Sequence, residues 1–175
     1  MPSIHTPGTI TLMEWDWFKI IRWVVLTAAA WMLGLIIWTF AAGEQTQVLR
    51  MQEKFIRALE KRQWSTVEAM VCNDYADEWG QDAPMLKQTM RQLLGGFIFI
   101  SIEPTVTSSR AASGLAMVKC TIKIQGNGAG LSTMVMNEAN RIKEPWVFHW
   151  HKRGRWPWSW ELVQIDNPKV THNRP

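Results

Sequence analysis

From Trp23 to Gly43 the chain reads WVVLTAAAWMLGLIIWTFAAG, with no charge and only threonines as polar side chains. At about 1.5 Å per residue, roughly 20 such positions cross the ~30 Å hydrocarbon core of a bilayer, and a helix satisfies its own backbone on the way. The pattern predicts a transmembrane helix. Thr11-Leu-Met-Glu14 has capping-box spacing and starts that helix, so the anchor is expected over 11–43, behind a loose arm at 1–10 that holds Pro2, Pro7 and Gly8. Trp15, Trp17, Trp23 and Trp38, with Lys19 and Arg22, suit the headgroup level, where an apolar ring and a polar N–H both find partners. Trp31 falls mid-span and faces either acyl chains or a neighbouring helix.

Past Glu44 the pattern turns amphipathic. Val48, Met51, Phe55, Ala58, Leu59 and Arg62 keep helical spacing, with Glu53, Lys54, Arg57 and Lys61 opposite. Ser65-Thr-Val-Glu68 has capping-box spacing for a second helix through Val67, Met70 and Val71. Residues 73–80 read as a loop. Asp82 and Pro84 open a third helix, which Gly95-Gly96 stops. From Phe97 the period becomes that of strands: one to about Thr107, a turn over 108–114, then an alternating strand through Ala116, Val118, Cys120, Ile122 and Ile124, closed by Gly126–Gly130. Residues 131–143 fit an amphipathic helix carrying Met134, although 131–137 also alternates as a strand would. A last hairpin pairs Trp146–Trp150 with Trp158–Ile165, and a polar tail follows at 168–175.

The net charge of +4, with acidic residues interspersed throughout, describes a mixed solvated surface rather than a nucleic-acid patch. The apolar run exceeds a secretory h-region and Phe40-Ala41-Ala42 offers no A-x-A site, so an uncleaved anchor is expected. Lys19 and Arg22 before the span place the N-terminus in the cytoplasm and the domain outside, in the periplasm of a bacterial inner membrane; Arg50, Lys54 and Arg57 pull the other way. Cys72 and Cys120 lie far apart without a CxxC; Cys120 reads as a buried small hydrophobe, and a disulfide between them stays open.

Helices followed by long antiparallel strands make an α+β arrangement: three helices packed on a curved antiparallel sheet, a cone-shaped domain over 44–167 behind its anchor. FIRALEKRQWSTVEAMV (Phe55–Val71) resembles the opening helix pair of the nuclear transport factor 2-like (cystatin-like cone, SnoaL-like) superfamily, and RGRWPWSWELVQID (Arg153–Asp166) is similar to its last hairpin. The resemblance covers about 120 residues and rests on patterning, and the connection at 126–145 is longer than in the shortest members. It implies a cone with a pocket, found among isomerase-like and dehydratase enzymes, small-ligand binders and subunits that hold complexes together. The order of arm, span and cone is also similar to the inner-membrane bridging component of type IV secretion systems, which self-associates.

Enzymes of this fold use a pocket carboxylate as general base opposite an acid or oxyanion donor. The resemblance places Asp74 and Asp77 where isomerase-like relatives keep that base, with Tyr75 as donor; the same loop also reads as a solvated connection in which Tyr75 plugs the cone. His149 and His151 share a sheet face but lack further ligands, and no metal or cofactor is expected. The densest anomaly is aromatic and basic together. Trp150, Arg153, Arg155, Trp156 and Trp158, with Met134 and Trp31, are the candidates for contact with other subunits, because Trp and Arg desolvate large areas while keeping a polar handle. The expected partners are a lipid bilayer, other subunits of a membrane complex and a second copy of the chain, without nucleic acid. The leading expectation is a non-enzymatic anchored accessory or scaffold subunit. An anchored binder or isomerase/dehydratase-like enzyme and a secretion-channel bridge are the alternatives.

Overall fold

A computed structural model gives the structure of residues 13–168, apart from the side chains of 13–16 and 38–41. The expected arm at 1–10, Thr11 of the first capping box, residues 169–175 of the tail and the side chains of Trp15 and Trp38 therefore lie outside the described residues. The chain divides into two units, between Ala41 and Ala42, each taken here by itself.

The first unit holds α1 (Met13–Ala41). Its stretch Trp17–Ile37 is long and apolar enough to cross a membrane. Trp17, Trp23 and Trp31 project outward, and Thr27 donates its hydroxyl to the Trp23 and Val24 carbonyls at 2.8 and 2.9 Å. A polar side chain in the span is thus satisfied inside the helix.

The second unit runs α2 (Glu44–Glu60), α3 (Trp64–Met70), α4 (Ala83–Gly95), β1 (Phe97–Ala112), β2 (Leu115–Gly128), α5 (Leu131–Arg141), β3 (Trp146–Lys152) and β4 (Trp160–Asp166). The strands form one antiparallel sheet in the order β1-β2-β3-β4, the α+β architecture expected. α2 buries Val48, Met51, Phe55, Ala58 and Leu59 as its periodicity requires. Asp82 caps α4 by accepting from the Met85 N–H at 2.9 Å, with Pro84 in the first turn. Segment 131–141 is a helix, which settles the choice left open there. β3 pairs with β2 only between Leu115 and Cys120, so the edge of β2 beyond needs another partner; Asn140 of α5 bonds both the Ile124 N–H and C=O, at 2.8 and 2.7 Å.

Four expectations need correction. Ser65 does not cap α3: the helix starts at Trp64 behind Gln63, which makes no side-chain cap, and Glu68 turns to Arg91 of α4 instead. Arg62 lies beyond α2 in the left-handed region (φ 51°), with its guanidinium donating to the Phe97 carbonyl. The turn after β1 is only Ser113–Gly114, both at positive φ; residues 108–112 stay in the strand across a register shift between Val106 and Ser108 that hides the alternation. Gly126 and Gly128 are strand, not turn: a Cβ on Gly126 would stand 2.5 Å from the Phe99 carbonyl, so only glycine allows the two strands this approach.

The core lies between the helices and the inner sheet face. Phe55 meets Trp150 edge-on at 5.9 Å, with Trp160, Leu162, Val48 and Val118 around them, each at most 1 % exposed. Burying side chains of this size contributes roughly 1.5–3 kcal/mol apiece.

Candidate functional site

Two regions carry the candidate residues, the loop before α4 and the tip of the last hairpin. In the loop, Cys72 and Ala76 lie along β4, their N–H groups donating to the Leu162 and Val163 carbonyls at 2.9 and 3.3 Å. This turns Tyr75 into the core, 2 % exposed. Its hydroxyl donates to Asp77 Oδ2 at 3.1 Å, while Asp77 Oδ1 accepts from the Trp79 and Gln81 N–H groups at 3.0 and 2.8 Å. Burial first, then the Asp77 charge and hydrogen bond, push the Tyr75 pKa well up, so the phenol stays neutral. Three donors occupy the Asp77 carboxylate, which organises the loop. Asp74, 83 % exposed, lies on the surface beside Arg153 at 3.0 Å.

The interior is closed by polar side chains aimed at the tryptophans. Trp150 Nε1 donates to Gln52 Oε1 at 2.9 Å, and Lys152 Nζ donates to Gln47 Oε1 at 2.9 Å, standing over the Trp160 ring. Trp150 is 1 % exposed and therefore leaves the set of contact candidates: it holds the core. Cys72 and Cys120 are both buried free thiols; burial pushes the Cys120 pKa up to about 11. Among the described residues no group of three or more His, Cys, Asp or Glu could hold a metal ion.

The hairpin tip spans 153–159. Arg153 N–H donates to the Ser159 carbonyl at 2.8 Å, and the Ser159 N–H and hydroxyl both donate to the Trp156 carbonyl, at 3.1 and 2.8 Å. Pro157 turns inward, which brings Trp156 and Trp158 face to face with centroids 5.1 Å apart and planes inclined by 18°. Both rings remain more than half exposed. Arg153 is held by the Cys72 sulfur, Asp74 and Glu161 at 2.7, 3.0 and 3.4 Å, and Arg155 is exposed beside it in the tip. Trp158 borders a groove of about 390 Å³ with Met51 and Lys54 of α2 and Thr66 and Met70 of α3. Met134 is exposed on α5.

Pattern reading missed two arrangements. His149 Nε2 meets Asp166 Oδ2 at 2.8 Å on the outer sheet face, joining β3 to β4. Cys72 and Asp74 of the loop and Glu161 of β4 converge on Arg153, and nothing local in the sequence signals that meeting.

No family model and no curated protein matches the sequence. Solved structures do match. A nuclear transport factor 2-like protein from Cytophaga hutchinsonii aligns at TM-score 0.53 and 12 % identity, over 71 % of this chain and 96 % of its own. A member of that family from Streptomyces avermitilis aligns at TM-score 0.50 and 16 % identity, over 69 % and 91 %. Bdellovibrio bacteriovorus Bd1075 aligns at TM-score 0.50 and 9 % identity over 70 % of this chain, which spans only 39 % of that longer protein. At these identities the likeness speaks for architecture alone. The domain behind the apolar helix has the nuclear transport factor 2-like fold.

Proposed function

We propose that this protein is a non-enzymatic accessory subunit, anchored by α1 as a single pass with its N-terminus in the cytoplasm, that docks onto other subunits of a membrane complex through the tip at 153–159. The observation that carries the reading is the Trp156–Trp158 pair: two large rings, already stacked and fixed by backbone hydrogen bonds, yet more than half exposed beside Arg155. Ordering such side chains before contact removes much of the entropy cost of binding. The sealed interior supports the same reading, because Asp77 and Tyr75 bond each other and Asp74 faces solvent.

Purification in mild detergent tests it. The full chain is expected to bring defined subunits with it, and a photo-crosslinking residue at Trp158 is expected to give one discrete adduct. Trp156→Ala with Trp158→Ala is expected to weaken that association by about 2 kcal/mol or more per ring, without a shift in melting temperature. A monodisperse monomer with no adduct would refute the docking role.

A further inference from the structure

α2 carries a second surface that the docking tip does not use. Its exposed face carries Arg50, Lys54 and Arg57, and Lys61 at its C-cap continues the row, at intervals of four, three and four. That spacing sets four cations in one line, about 16 Å long at the rise of a helix. The line borders a shallow groove of about 350 Å³, whose other lip is Gln63 and Thr66. Glu53 is the one carboxylate lining it, and Arg57 holds it at 2.5 Å. Lys54 and Thr66 also border the groove beside Trp158, so the cationic line is continuous with the base of the tip.

We propose that this line is a lipid contact, binding the phosphates of an anionic bilayer surface. Lys54 and Lys61 extend the line on either side of the Arg57–Glu53 pair, and the spread of cations along the helix suits a row of anionic headgroups rather than a single ion. Only Ala42 and Gly43 stand between the end of α1 and the start of α2. With α1 in a membrane, so short a tether raises the effective concentration of headgroups around α2. The inference therefore rests on the anchor of the proposed function, and it deepens that function: lipid held along α2 fixes how the neighbouring tip is offered to a subunit in the same membrane.

Lysine acetylation footprinting by mass spectrometry tests it on the full chain in nanodiscs of phosphatidylcholine, with and without phosphatidylglycerol. Lys54 and Lys61 are expected to react several-fold more slowly in the anionic discs and to recover at high salt. Lys123, exposed on the sheet's outer face, is expected to react alike in both. Equal rates for Lys54 and Lys61 in the two discs, with the chain still disc-bound, would overturn the lipid contact and leave the anchor standing. A chain that elutes free of the discs overturns both. Protection in native membranes but not in anionic discs would assign the line to an acidic protein, and overturns it likewise.

Discussion

Asp77 and Asp74 lie three positions apart and do different work. Asp77 accepts three hydrogen bonds that fix the loop around the buried Tyr75, whereas Asp74 meets Arg153 in solvent. Asp77→Ala is expected to cost about 1–3 kcal/mol, since it orphans a buried hydroxyl and two N–H groups; Asp74→Ala should stay within about 0.5 kcal/mol. Paired urea melts check this, and equal effects would contradict the loop-organising role. Cys120 gives a pH signature. Its folded pKa is raised, from the ordinary 9.0 to about 11, because burial penalises the thiolate. The neutral thiol's stabilisation is complete below pH 9.0 and is lost as pH climbs through about 11. Over that window one proton's linkage has a slope of about 1.4 kcal/mol per pH unit. Tyr75 adds to the same trend from 10.0 upward, so the informative comparison is between the parent and Cys120→Ala. The variant's alkaline melts should fall less steeply.

At the scale of elements, what was legible is what local chemistry decides. α2, α4 and α5 show in the sequence because each has an apolar stripe, and α4 also has Asp82 as its cap. Ser65 misled because a distant partner won: Arg91 draws Glu68 away from the cap, and Gln63 takes the helix start. The far half of β1 was illegible because Ser108, Ser109 and Arg110 show no alternation; its pairing with β2 and the bond from Gln45 Nε2 to the Ser109 carbonyl hold it extended. Trp158 read as strand, but the inward Pro157 and the bonds to Ser159 keep it in the tip, and β4 begins at Trp160. The glycines of β2 looked like a turn because composition cannot show what approaches them. Gly126→Ala puts a methyl 2.5 Å from the Phe99 carbonyl. It is expected to destabilise the domain by about 1–3 kcal/mol. Gly43→Ala, with nothing within 4 Å of the added carbon, is the matched control. Equal melting temperatures for the two variants would show that β1 and β2 are not held this close.

At the scale of the molecule, two physically different kinds of apolar surface coexist in one chain. α1 turns Trp17, Trp23, Trp31, Leu33 and Ile37 outward, and its stability in water is therefore poor without lipid or detergent around it. The second unit packs Phe55, Trp150, Trp160 and Leu162 into a core while Phe99, Met134, Trp156 and Trp158 stay exposed, and inside that core Gln52 Oε1 accepts from Trp150 Nε1. Among the described residues, those of the core cluster run from Val48 on α2 to Ile165 on β4, all after Ala41. Removing residues 1–41 is thus expected to yield a domain that stays soluble without detergent. Its near-ultraviolet dichroism should keep the bands of the packed Trp150 and Trp160, and its melting temperature should stay within about 4 °C of the full chain's domain transition, a change under roughly 1 kcal/mol for a domain of this size. The full chain should by contrast resist extraction from membranes at alkaline pH. A truncated domain that loses its dichroism or aggregates would show that α1 completes the core, and the separation of anchor from cargo would be wrong.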